Sequence, residues 1–153
     1  MKKFVAVLLA AMLCLSFAAC GGEKATDKTV DAAAMFKALL NDVTYTDNAT
    51  ELDSSMAGVL LGGELPDGTE AYLAANDSAY LRCAVFACKD KDAAAAVKKL
   101  IQTYIDDSID AKYNVDEVAL LQNAKIHSMG NYVAVAVTSD TDNVNKVIDQ
   151  YFA

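Results

Sequence analysis

The sequence lacks tryptophan, has one proline and one histidine, and contains only 13 basic residues against 21 acidic ones. The resulting formal charge of −8 repels phosphate backbones and anionic lipid headgroups. The composition therefore argues against nucleic acid as a partner. A chain of 153 residues is long enough for one domain with its own hydrophobic core.

Three common motifs are also missing: a glycine-rich phosphate loop, a Gly-x-Ser-x-Gly elbow and a Cys-x-x-Cys pair. No cofactor and no metal site is predicted. The single histidine, His127, lies in a strand-like segment next to a turn, which favours a partly exposed strand residue over a catalytic base. An envelope hydrolase or redox enzyme built on His127, acidic residues or cysteines remains the alternative.

The N-terminus has the composition of a secretory signal. Lys2 and Lys3 precede an apolar run at positions 4–19, which is shorter than the ~20 residues that a spanning helix needs. Cys20 follows two alanines and precedes two glycines, as in the lipobox of bacterial lipoproteins, whereas Cys14 follows the bulky Leu13. The sequence therefore predicts cleavage before Cys20 and lipidation of its thiol.

This interpretation divides the chain into three parts: a lipoprotein signal peptide at 1–19, a tether at 20–28 and a single α+β domain at 29–153. The protein would be held by its acyl chains on the extracytoplasmic side of the cell membrane. Two cysteines then remain, Cys83 and Cys88. Five residues apart on one strand, they would point to opposite faces about 16 Å from each other, as free thiols.

Apolar periodicity predicts the fold class. Residues 69–109 and 122–152 each read as strand, turn, strand and helix, and together they would form a four-stranded antiparallel sheet with helices on at least one face. An additional N-terminal helix begins after Asp31, and residues 50–61 are compatible with a short helix.

The chain resembles a family of small uncharacterised lipoproteins from Gram-positive, clostridial-type bacteria, known as a domain of unknown function. The features that carry the resemblance are the following: the lipobox at Cys20, the segments 36–40 and 84–90, Tyr113 before an acidic segment, and the hairpin 130–133. The resemblance implies extracytoplasmic localisation and no assigned activity.

Strand alternation places Leu81, Cys83, Val85 and Ala87 under helices together with Val133, Val135 and Val137. The opposite sheet face would carry a candidate binding surface of aromatic residues and one arginine: Tyr72, Tyr80, Arg82, Phe86 and Tyr132. Such a surface suits a peptide, a glycan or an envelope protein, unless the first helix and the 44–68 region cover it.

The acidic segment 106–117 has the length of a calcium loop and ends in Glu117. Its sixth position is Ala111, where the sharp turn of such a loop requires glycine. A solvated acidic helix end is therefore the better interpretation. The sequence as a whole predicts a lipid-anchored binding or accessory module of the cell envelope, with a structural component of an envelope assembly as a further alternative.

Replacing Cys20 by serine should abolish incorporation of labelled palmitate, because only the thiolate accepts the diacylglyceryl group. Cys14→Ser is the matched control and should leave labelling unchanged. Mass spectrometry of the mature protein should find an acylated N-terminus at residue 20. Labelling that survives in Cys20→Ser, or processing that resists globomycin, would contradict lipidation at this position.

Overall fold

The computed structural model describes residues 29–111 and 114–153. The signal peptide, Cys20 and the tether lie outside these residues. The described chain is a mixed α/β protein with five helices and one antiparallel sheet of five strands. In chain order the elements are α1 (Ala32–Asp42), β1 (Thr50–Leu52), α2 (Met56–Leu61), β2 (Glu70–Ala75), β3 (Leu81–Ala87), α3 (Lys91–Ala111), α4 (Val115–Asn123), β4 (Lys125–Met129), β5 (Tyr132–Ala136) and α5 (Thr141–Phe152).

Both predicted strand-strand-helix units are present. An aspartate side chain caps the N-terminus of each of the helices α1 and α3. The Asp31 carboxylate accepts a hydrogen bond from the backbone N–H of Ala34 at the start of α1. Asp90 does the same for Ala93 at the start of α3. Each carboxylate satisfies a backbone donor that has no partner inside its helix. Within the described residues, no helix is both long and apolar enough to cross a membrane.

The sheet has five strands instead of the four predicted, in the order β1-β2-β3-β5-β4. The additional strand, Thr50–Leu52, pairs with the outer edge of β2 over the segment that the sequence analysis assigned to a helix. The helix begins only at Met56, after a turn at Asp53. Apolar spacing does not reveal this short strand, because the open edge of β2 supplies its hydrogen bonds.

Helices cover both faces of the sheet. On one face α2, α3 and α4 pack on Leu73, Phe86 and Val133, and on the other α1 and α5 pack on Val85 and Ala134. The predicted grouping of Val85 with Val133 and Val135 is wrong. In the observed register Phe86 lies opposite Val133 and Val85 lies opposite Ala134, and directly paired residues share a face.

A shift of register in β3 explains a second departure from simple alternation. Leu81 pairs with Ala75 and Cys83 pairs with Ala74, so Arg82 is an extra residue in β3. Leu81 consequently joins the α3 face and Cys83 joins the α1 face. An extra residue of this kind changes the direction in which its own side chain points. Arg82 therefore does not follow the regular alternation of side chains between the two faces of the sheet.

Val133→Ala should lower the free energy of unfolding by about 2 kcal/mol, because it removes two methyl groups from a fully buried site between β5 and α3. Val115→Ala is the matched control: Val115 is 83% exposed, and its truncation should change stability by less than about 0.5 kcal/mol. Urea denaturation measures both. Equal losses in the two variants would contradict this core.

Candidate functional site

A cleft of about 340 Å³ opens between α2, the β2–β3 turn, α3 and the start of α4. Its walls combine apolar, aromatic and acidic side chains. The lining residues are Val59, Leu60, Leu61, Gly62, Ala79, Tyr80, Tyr104, Asp107, Ser108, Ala111, Asn114 and Glu117. A concave surface of this size and mixed character is typical of a small-molecule site.

The first wall exists because α2 stops abruptly. Gly62 adopts a left-handed conformation, with φ of 73°, and its backbone N–H donates to the carbonyl of Gly58. Glycine adopts positive φ without the steric cost that a Cβ atom brings. This C-cap turns the chain away, so that Leu60, Leu61 and the half-buried end of the helix border the cleft.

The second wall is the β2–β3 turn, which Asn76 organises. Its side-chain oxygen accepts hydrogen bonds from the backbone N–H groups of Ser78 and Tyr80. Ala79 has φ of 61°, a conformation that costs a non-glycine residue free energy and persists only where its surroundings impose it. The turn thereby holds Tyr80 at the cleft.

The third wall is α3, on which Tyr104, Asp107 and Ser108 follow one another at helical spacing. The hydroxyl oxygen of Tyr104 accepts a hydrogen bond of 3.1 Å from the backbone N–H of Leu81, which ties α3 to β3. Burial raises the pKa of the Tyr104 phenol, so the ring is neutral at physiological pH.

The start of α4 forms the fourth wall. The side-chain oxygen of Asn114 accepts from the backbone N–H groups of Asp116 and Glu117 and so caps the helix. Glu117 is buried, and its two carboxylate oxygens accept hydrogen bonds of 2.8 Å from Nη1 and Nη2 of Arg82. This ion pair connects the cleft with the centre of the molecule.

Arg82 is 1% exposed, and each of its five N–H donors has an acceptor. Besides the two bonds to Glu117, Nε and Nη2 donate to the two oxygens of Asp47 at 2.6 and 2.9 Å. The remaining Nη1 donor reaches the carbonyl of Leu81 at 3.2 Å. Complete pairing is what permits a guanidinium to be buried.

The Arg82 hydrogen bond holds the pKa of Asp47 at about 2, and Asn76 Nδ2, which donates to the same carboxylate at 2.6 Å, contributes in the same direction. Burial alone would disfavour the charge of Arg82, but its bonds to Asp47 and Glu117 outweigh burial and raise its pKa. Asp47 and Arg82 are therefore both ionised at neutral pH.

The structure does not bring the five predicted binding residues together on one open face. Tyr72 and Tyr132 lie on the α1 face, Phe86 is fully buried under α3, and Arg82 is buried in its ion pairs. Only Tyr80 lines the cleft. The cause is the β3–β5 register together with the helices that cover both sheet faces.

Of the groups named in the alternative enzyme hypothesis, the histidine and the two cysteines do not line the cleft, whereas the acidic residues Asp107 and Glu117 do. His127, on β4, lines a separate depression of about 10 Å³, and burial together with Lys125 lowers its pKa. Cys83 and Cys88 are free and buried, on opposite faces, as predicted. Burial raises the pKa of Cys83 to about 11 and also raises that of Cys88, so both thiols are protonated at neutral pH.

Up to Ala111 the acidic segment is the last part of α3, in agreement with its interpretation as a solvated helix end. Asp106 and Asp110 are helical and exposed, and Glu117 is engaged by Arg82. Among the residues described, no group of three or more His, Cys, Asp or Glu is arranged to hold a metal ion.

A domain of unknown function (DUF4358) is found at residues 66–138. This segment contains β2 to β5 with α3 and α4, and thus Tyr80, Tyr104, Asp107 and Glu117 of the cleft. The α2 wall, Asp47 and both helices of the α1 face lie outside it. No curated protein and no solved structure matches the chain.

Tyr80 is the only lining residue of the cleft that the sequence analysis proposed for binding, and the residues it missed include Tyr104, Asp107 and Glu117, as well as Asp47 behind the cleft. One signal was available: Arg82 is the only arginine among 13 basic residues and stands in an apolar strand. A buried bidentate pair requires the planar fork of arginine, whereas lysine suffices at most exposed positions. The identity of its carboxylate partners had no comparable signal.

Arg82→Met should lower the free energy of unfolding by about 3–5 kcal/mol, because it leaves the Glu117 carboxylate buried without its counter-ion. Denaturant unfolding followed by circular dichroism measures this loss. In the double variant Arg82→Met/Glu117→Gln, part of the lost free energy of unfolding should be restored, because the buried carboxylate is replaced by a neutral amide. Lys98→Met, on the exposed surface of α3, is the control and should stay within about 0.5 kcal/mol of the unsubstituted protein. A similarly small effect of Arg82→Met would contradict the role of the ion pairs.

Proposed function

We propose that this protein is a lipid-anchored, extracytoplasmic binding module that takes a small ligand in the cleft between α2, α3, α4 and the β2–β3 turn. The observation that carries the binding proposal is the cleft itself, whose lining is mainly apolar and aromatic with a few polar groups. Support for the anchor comes from the sequence alone, namely the signal and Cys20.

The chemistry of the cleft favours binding over catalysis. Both oxygens of Glu117 are occupied by Arg82, and the phenol oxygen of Tyr104 accepts from the backbone of β3. A general acid or base requires a group free to exchange a proton with substrate, and both oxygens of the Glu117 carboxylate are occupied by its ion pair with Arg82. Glu117 and Tyr104 thus contribute to holding the walls of the cleft together.

Rigidity of the walls also supports binding because a site that is formed before the ligand arrives loses little conformational entropy on association. Asn76 fixes the turn, Gly62 ends α2, and Asn114 caps α4. Each of these contacts acts on the backbone of a cleft wall.

A panel of hexylammonium, 1-hexanol and hexanoate tests the cleft by nuclear magnetic resonance of the domain at 29–153. At least one probe should shift the backbone amides of Leu61, Gly62, Tyr80 and Ser108. Ser108→Phe should abolish these shifts, because the ring would fill the cleft. Thr103→Phe, exposed on the same helix, is the matched control and should preserve them. Shifts centred elsewhere, or none, would overturn the proposed binding site.

A further inference from the structure

We infer that the ligand of the cleft is a small organic cation, an amine or ammonium group that carries an apolar part. This inference rests on the proposed binding function and specifies its chemistry. Its basis is the coincidence, in one concave site, of negative charge, aromatic rings and apolar side chains. None of these features alone would identify a ligand class, but each favours a cation with a hydrocarbon portion.

Negative charge in the cleft has two carboxylate sources. Asp107 is exposed on α3 and lines the cleft, and Glu117 lines it from the start of α4. Of the residues in 29–111 and 114–153, no lysine or arginine lines it. Arg82 stands behind Glu117, but its charge is shared with Asp47, so the ion-paired group does not offset Asp107. The charged side chains that line the cleft, among the residues in these ranges, are therefore both acidic.

Two helix ends add to this field. The cleft lies beside the C-terminal ends of α2, at Leu61, and of α3, at Ala111. Carbonyl groups at a helix C-terminus bear partial negative charge, and the last turns of α2 and of α3, as described up to Ala111, contain no basic residue. Asp116, in the first turn of α4, opposes the positive partial charge at the start of that helix.

The tyrosine rings and the apolar residues of the cleft favour a cation that carries a hydrocarbon part. Tyr80 and Tyr104 both border the cleft, and a tyrosine ring attracts a cation placed over its face. Val59, 73% exposed at the cleft, and Leu60 offer a surface for hydrocarbon. An anion would meet the carboxylate of Asp107 and the C-terminal ends of two helices. A fully hydrated inorganic cation would leave the apolar side unused.

The affinities of the three probes at the cleft test this inference, measured from the amide shifts in low salt. Hexylammonium should bind roughly tenfold more tightly than 1-hexanol, which has the same chain without charge, and hexanoate should bind more weakly still. Raising the ionic strength to about 0.5 M should reduce the preference, because salt screens an exposed carboxylate.

Asp107→Asn should remove most of the preference for hexylammonium over 1-hexanol, because it removes the exposed carboxylate of the cleft. Asp106→Asn is the control with the same change of charge: its Oδ1 accepts from Gln102 at 2.9 Å and does not line the cleft, so the preference should persist. Equal binding of all three probes at the cleft would overturn the cation inference and leave the binding site standing. Failure of every probe to shift the cleft amides would overturn both.

Discussion

The buried guanidinium of Arg82 is the constraint on which the arrangement of this protein depends, because it joins three layers. Arg82 belongs to the sheet, Asp47 to the loop that follows α1 on one face, and Glu117 to α4 on the other. A buried charge is tolerated only when every donor is paired, and here five donors meet five acceptors. Removing any one carboxylate therefore affects both helical layers.

The ion-pair network of Arg82 also positions walls of the cleft, although Arg82 itself does not line it. Asn76 donates to Asp47 and accepts from the turn that carries Tyr80, and it thereby connects the loop after α1 with the β2–β3 turn. Glu117 holds the first turn of α4 against β3. Two of the four cleft walls are thus fixed by one ion-pair network, which gives the site its rigidity.

Local pattern was sufficient to predict most elements of this fold. The stripe of Val144, Val147 and Ile148 located α5, and the Gly130-Asn131 turn located the β4–β5 hairpin. The pairing between hairpins was not predictable in the same way. A shift of one residue exchanges the two faces of a strand, and β3 is apolar on both faces, so alternation alone could not choose the register that pairs Phe86 with Val133.

The site was the least predictable part for a related reason. Tyr80 was predicted only as one of the aromatic residues that strand alternation places on the second sheet face, and it is half-buried at the cleft. Asp47 and Glu117 each lie 35 residues from Arg82, among many other carboxylates, and nothing local distinguishes them. What distinguishes them is their contact with the single arginine: Glu117 is buried against it, whereas Asp47 keeps 41% of its side chain exposed and reaches it from the loop after α1. Because the chain has a single arginine, both ion pairs of its guanidinium form at one place, and the cleft lies beside that place.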